Sequence, residues 1–157
     1  MEKKKVQFRP EVMSDKVLAI NRVARKIKGG DKIGFTSLVA VGNKNGSVGL
    51  GYGKAPDLRS AIDKAQKSAK QSRFEVPLKD TTIPRRIRIK FSAARVLLMP
   101  APRGAGLIAG GVVRDILELA GVRDVSAKIL GTSNPVTNAK ATIKALKTLA
   151  AEEARGK

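Results

Sequence analysis

The 157-residue chain carries 32 Lys and Arg against 13 Asp and Glu, a formal net charge of +19, and has 42% hydrophobic and 3% aromatic residues but neither Cys nor His. Disulfides and zinc sites built on Cys or His are excluded, the commonest general acid–base is missing, and an enzymatic reading has little to build on. The cation excess calls for an anionic partner, nucleic acid before membrane: no run approaches the roughly 18 apolar residues of a span, and Met1-Glu2-Lys3-Lys4-Lys5 lacks the apolar core of a signal peptide, so a cytoplasmic location is expected.

Residues 1–14, with Lys3-Lys4-Lys5, Arg9 and Pro10, show no sustained periodicity and read as a flexible basic arm. From Lys16 to Val23 apolar residues fall on both parities, which fits a strand covered on both faces; a short helix also fits. Arg22 to Lys32 then gathers Arg22, Arg25, Lys26, Lys28 and Lys32 around Gly29-Gly30, with Asp31 the only acid. This reads as a bendable cationic loop whose glycine pair admits close approach of another backbone. Phe35–Val41 is a second strand, and Gly42-Asn43-Lys44-Asn45-Gly46 is a hairpin turn with Asn45-Gly46 tolerant of positive φ. In the third strand, Ser47–Gly53, Val48, Leu50 and Tyr52 share one face. Gly49, Gly51 and Gly53 line the other, where something must come close.

Asp57 to Ser72 is a helix, because Leu58, Ala61, Ile62, Ala65 and Ala69 form one apolar stripe, while Arg59, Lys64, Lys67 and Lys70 lie outward and Asp57 stands in the first turn. The first unit is β-β-β-α, residues 15–78. Phe74–Thr82, with Pro77 and Pro84 near its ends, reads as a seam. In Ile83–Phe91 the apolar Ile87, Ile89 and Phe91 alternate with Arg86, Arg88 and Lys90, a strand with a cationic face. Arg95–Met99 is another strand. A glycine-rich loop, Arg103–Gly111, leads into a helix over Val112–Ala120 with Gly121 as its cap. Val125–Leu130 is a short strand, and Asn134-Pro135 starts a last helix running to about Ala150. The second unit, residues 79–157, is β-β-α-β-α, so the fold class is α+β in two small domains.

Two motifs invite nucleotide chemistry and both fail on context. Gly104-x-Gly106-x-x-x-Gly110 resembles a dinucleotide fingerprint, yet the half-chain holds only part of a doubly wound sheet and no acidic ribose ligand follows Leu130; a tight turn that packs a helix or docks a neighbour fits better. Gly49–Lys54 fails as a phosphate-binding P-loop at Val48 and Ala55. Asp115 and Glu118 flank Arg114 as a solvated helix surface, and no carboxylate cluster suggests a metal, so neither cofactor nor metal is expected. The cationic sets carry more. The Arg22–Lys32 loop, Lys44, Lys54, the Arg59/Lys64/Lys67/Lys70 helix face and the Arg86/Arg88/Lys90 strand face recur on separate elements, which points to a polyanion held by phosphate and shape rather than base stacking.

In order along the chain come Asn21-Arg22-Val23, Lys28-Gly29-Gly30, Val41-Gly42, Asn45-Gly46-x-Val48-Gly49-Leu50-Gly51-Tyr52-Gly53-Lys54-Ala55, Gly106-x-Ile108-Ala109-Gly110-Gly111, Leu117-Glu118-x-Ala120-Gly121-Val122, Gly131-x-Ser133-Asn134-Pro135 and Ala141-Thr142. This series closely resembles the family of the fifth protein of the bacterial small ribosomal subunit, from about Asp15 to Leu149. The resemblance implies an N-terminal domain similar to double-stranded-RNA-binding domains and a C-terminal α/β domain with a left-handed crossover. It also implies a place where the subunit's body meets its head, on 16S ribosomal RNA, with Lys28-Gly29-Gly30 on the loop that reaches the RNA where spectinomycin acts. By the same resemblance the surface with Arg103, Gly104, Gly106 and Arg114 meets the fourth small-subunit protein and tunes decoding accuracy, the eighth small-subunit protein is the other neighbour, and basic residues border the messenger RNA entry channel. Arg22, Arg25, Lys26, Lys28, Gly29, Gly30, Lys32, Lys44, Asn45, Lys54, Arg59, Arg86 and Arg88 are the expected ribosomal RNA contacts. Asp31 departs from the cation that often follows Gly-Gly in the family, and the Arg85-Arg86 and Arg88 strand is more basic than the family pattern.

Overall fold

The computed structural model describes residues 12–156. The first eleven residues of the expected basic arm lie outside the described part, and Ser14 already opens the first strand. In chain order the elements are β1 (Ser14–Ile27), β2 (Gly30–Gly42), β3 (Ser47–Ala55), α1 (Leu58–Gln71), β4 (Phe74–Glu75), β5 (Ile87–Phe91), β6 (Ala94–Pro100), β7 (Leu107–Ile108), α2 (Gly111–Ala120), β8 (Val125–Leu130) and α3 (Pro135–Arg155). They form two four-stranded sheets, ordered β1-β2-β3-β4 and β5-β6-β8-β7. This is the α+β, two-domain arrangement expected, strands leading and helices following.

The first sheet is shaped by its glycines. Val39 and Val41 of β2 pack with Ala65, Ala69 and Ile62 of α1. Opposite them in register stand Gly51 and Gly49, with Gly53 opposite Ser37. A Cβ on Gly49, Gly51 or Gly53 would lie 2.2, 1.9 and 2.2 Å from the carbonyl oxygens of Ala69, Ala65 and Ala61. The close neighbour that this glycine row requires is therefore α1 itself, whose small buried residues let its backbone ride on the strand. Asp57 sits one position outside the helix as its N-cap, not in the first turn. Its carboxylate accepts from the Ser60 backbone N–H at 3.0 Å, which holds its pKa below the ordinary carboxylate value.

The opposite face of that sheet, Leu38 and Ala40 with Leu50 beside them, belongs to the larger core shared with Ile116, Leu117, Leu119, Val96, Leu98 and Leu146 of the second half. The two sheets thus close over one apolar core, and the seam is tight. The Lys44 N–H donates to the Leu119 carbonyl and the Gly46 N–H to the Ala120 carbonyl, both at 2.9 Å. Gly121 ends α2 in the left-handed conformation (φ 88°) beneath the Lys44 carbonyl, and Lys16 Nζ meets Asp115 Oδ1 at 2.5 Å.

Several elements differ from the sequence expectation. Phe74–Thr82 is not a bare linker: β4 pairs with β3, Val76 is buried, and its N–H donates to the Gly46 carbonyl at 2.6 Å. The expected strand at Ile83 begins only at Ile87, since Pro84 donates no hydrogen bond and Ile83 is instead fully buried. The glycine-rich loop hides β7, which pairs in parallel with β8 to make a β7-α2-β8 crossover unit. α3 continues to Arg155, because Ala151-Glu152-Glu153-Ala154 are good helix formers even where the apolar stripe stops. In the β2–β3 turn the positive φ angles fall on Lys44 and Gly46, not on Asn45.

Candidate nucleic-acid interface

The basic stretch is a hairpin arm, not a loop between strands. β1 and β2 stay paired through Arg22↔Phe35, Val23↔Gly34, Ala24↔Ile33, Arg25↔Lys32, Lys26↔Asp31 and Ile27↔Gly30, leaving only Lys28 and Gly29 as the turn. Period-two hydrophobicity could not show this continuation, since the pairing here is backbone ladder alone and residues 24–33 are exposed. Gly29 (φ 96°) and Gly30 (φ 141°) supply turn angles that other residues adopt only with strain. Among the described residues a Cβ on either would meet nothing within 4 Å, which leaves room there for a partner.

Alternation sorts the cations. Arg22 and Lys26 project from the sheet face that further along carries α1; Arg25 and Lys32 project from the other, directly opposite one another. Lys54, across from Thr36, falls on the same face as Arg25 and Lys32. These three cations line a groove of about 350 Å³ with Val23, Ile33 and Pro56. Among the described residues no carboxylate lines that groove. Asp31 sits across from Lys26 on the opposite face, so the one acid of the stretch is turned away from this set. Ile20, Ile27 and Ile33 are 46, 54 and 40% exposed along the same arm, an apolar complement that water alone does not favour.

The remaining expected RNA contacts are dispersed. Lys44 and Asn45 are exposed in the β2–β3 turn at the far end of β2, roughly 40 Å from the hairpin tip at ~3.3 Å per residue. Their backbone is held by the seam and by Asn43 Oδ1, which accepts from the Asn45 and Ser47 N–H groups at 2.9 Å. Arg59 is exposed in the first turn of α1, shortly after Lys54. Arg86 and Arg88 belong to the second half, before and on β5, and are also exposed.

The expected partner-protein residues divide between the two ends of α2. Arg114 is exposed in its first turn, whereas Arg103, Gly104 and Gly106 lie on the loop beside its C-terminal end. That loop is fixed by Asp124, 5% exposed and missed in the sequence. Its Oδ1 accepts from the Gly106 N–H at 2.9 Å and its Oδ2 from the Thr81 hydroxyl. The Thr81 bond first, then the Gly106 amide, pull the Asp124 pKa below the ordinary carboxylate value. An acid between Val122 and Val125 at a strand start was the available signal. The Gly106 amide, which a dinucleotide fingerprint would offer to a pyrophosphate, is thereby occupied by the chain's own carboxylate. Among the described residues no group of three or more acids is placed to hold a metal, and no helix is long and apolar enough to cross a membrane.

Comparison with protein families gives matches to both halves. The family model described as ribosomal protein S5, N-terminal domain, matches residues 13–77, and that described as ribosomal protein S5, C-terminal domain, matches residues 89–154.

Proposed function

The chain belongs to the ribosomal protein S5 family, a structural protein of the small ribosomal subunit that binds ribosomal RNA, and from that premise we propose that the β1–β2 hairpin is its principal RNA contact, reaching 16S ribosomal RNA where the subunit's body meets its head. The observation that carries this reading is the Arg25–Lys32 pair with Lys54 in a groove that no acid among the described residues lines, on an otherwise exposed arm. Like charges directly opposite on a ladder destabilise a free hairpin, and phosphates between them reverse the sign. Arg22, Lys26, Lys28 and Arg59 extend the same contact, the open space beside Gly29 and Gly30 admits the RNA backbone, and Lys44 and Asn45 with Arg86 and Arg88 serve RNA at other points of the chain.

The surface with Arg103, Gly104, Gly106 and Arg114 is read as the seat of the fourth small-subunit protein, through which the chain supports decoding accuracy. The eighth small-subunit protein, the messenger RNA entry channel and a cytoplasmic location complete the reading. Its support is the family and the exposure of that loop. The domain limits we propose are 15–78 and 79–157.

The test replaces Arg25 and Lys32 by Gln together. Purified protein is titrated with 16S ribosomal RNA over a salt series. Losing two phosphate contacts flattens the dependence of log K on log salt by roughly 1.4–1.8, while far-UV circular dichroism stays unchanged because both side chains are exposed. An unaltered slope would leave the hairpin a solvated surface turn.

A further inference from the structure

We propose that the open face of the second sheet is a separate platform for an RNA phosphate backbone, with Arg95 and Lys128 as contacts alongside Arg88 and Lys90. The helices cover only one side of this sheet: Ile87, Ala94, Val96, Leu98 and Val125 point into the core and are buried. The alternate positions form the other side, and their register is fixed. Arg88 stands opposite Leu97, which stands opposite Lys128; Lys90 stands opposite Arg95, which stands opposite Leu130. Four cations therefore occupy two adjacent rows across three strands spaced ~4.8 Å apart, and all four are exposed.

Three features decide what this face is built to meet. No Asp or Glu occupies an outward position on β5, β6, β7 or β8, so the strands themselves set no acid beside the cations. Lys90 and Arg95 are direct cross-strand neighbours of like charge, an arrangement that costs stability in the free chain. The cations fill two adjacent rows, Arg88-Leu97-Lys128 and Lys90-Arg95-Leu130, with half-buried Leu97 and 39% exposed Leu130 among them, while the row beside them, Met99-Ser126-Ile108, carries no charge and ends on Ile108, 61% exposed. A protein partner would bring either carboxylates in matching rows or an apolar surface over the whole face. A nucleic-acid backbone brings closely spaced phosphates over the cations, with sugar faces over the leucine and methionine. The charge arrangement favours the backbone. This extends the RNA-binding reading to a second surface, on the other sheet of the chain.

The experiment uses the absence of Cys. Full-length protein carrying Leu97→Cys, labelled with a short photocrosslinker, is incorporated into small subunits and irradiated. Ser126→Cys, on the same face, is the second site should Leu97→Cys fail to fold, and Lys28→Cys at the hairpin tip is the comparator. A crosslink to ribosomal RNA from the sheet face is the expected result. A crosslink to a ribosomal protein, or none from an efficiently labelled face, overturns the platform. If the hairpin tip still crosslinks RNA in that case, only the platform is lost; if neither does, the RNA reading of both surfaces falls. In parallel, Arg95→Gln with Lys128→Gln is expected to flatten the salt slope of RNA binding by roughly 1.4–1.8, as two lost phosphate contacts require. An unchanged slope counts against the platform.

Discussion

Gly42→Ala tests whether the two halves are one mechanical body. Gly42 lies at the end of β2 against the last turn of α2, and a Cβ there would fall 2.3 Å from the Leu119 carbonyl oxygen, 2.7 Å from its carbonyl carbon and 2.9 Å from its Cβ. None of these is the free end of a side chain, so relief requires the seam to open by about 1 Å to restore ordinary contact. Opening stretches the Lys44–Leu119 and Gly46–Ala120 hydrogen bonds, both now 2.9 Å. Overpacking costs ~1–3 kcal/mol and two weakened hydrogen bonds ~1 kcal/mol each, about 3–5 kcal/mol together. For a chain of this size ~1 kcal/mol moves Tm by ~2–4 °C, so a fall of roughly 6–20 °C is expected. The assay is a thermal scan of the RNA-free full chain, with hydrogen exchange at the Lys44 and Gly46 amides. Gly104→Ala is the comparator: φ is +91° but nothing lies within 4 Å of its Cβ, so only the left-handed penalty of ~1–2 kcal/mol applies. If Gly42→Ala holds its Tm within about 2 °C of the parent and both amides remain protected, the seam is softer than its geometry implies and the reasoning fails.

Gly51→Ala drives a Cβ to 1.9 Å from the Ala65 carbonyl and must lift α1 off the sheet; loss of helix protection in hydrogen exchange checks it, and a native exchange pattern would contradict the packing. Asp124 has a depressed pKa, so its contribution is present above the ordinary value near ~3.9 and is lost as pH falls through the lower folded value. Stability should therefore fall below about pH 4 more steeply for the parent than for Asp124→Asn, measured by urea midpoints; parallel acid limbs would remove Asp124 from the account. A fragment of residues 12–78 bares Leu38, Ala40 and Leu50, which the second half now covers. It should bind a hydrophobic dye and associate in sedimentation, whereas a monodisperse, dye-free fragment would show an independently closed domain.

What the sequence disclosed follows from what each residue type must do locally. The stripe Ala61, Ala65, Ala69 located α1, the glycine row predicted a close neighbour, and Gly121 and Asn134 marked helix ends, because each is a short-range constraint legible in spacing. The spacing reads the hairpin arm as a loop, since strand pairing without a buried apolar face leaves no period to detect. Asp124 carries little local signal because its role depends on Thr81 and Gly106, distant in sequence. The shared core was hidden for the same reason: Leu38 and Ala40 look like the inner face of one small sheet, and nothing local says that Leu119 covers them. Arg95 and Lys128 gained meaning only when the register set them in rows with Arg88 and Lys90.

The two like-charge pairs, Arg25–Lys32 and Lys90–Arg95, sit on different sheets yet make one demand. In a chain of net charge +19 with few acids to offset them, their repulsion falls on exposed strands, where added salt screens it: the Debye length shrinks from ~10 Å at 0.1 M to ~3 Å at 1 M. Salt must then act with opposite signs on the same protein. The free chain should gain thermal stability as chloride rises over this range, while its RNA affinity falls by the counterion-release slope. Replacing Lys32 and Lys90 by Gln should flatten both trends at once, because the same cations cause both. A free chain whose Tm falls or stays level with salt would mean that these pairs carry no strain, and the argument from repulsion to an anionic partner would lose its physical basis.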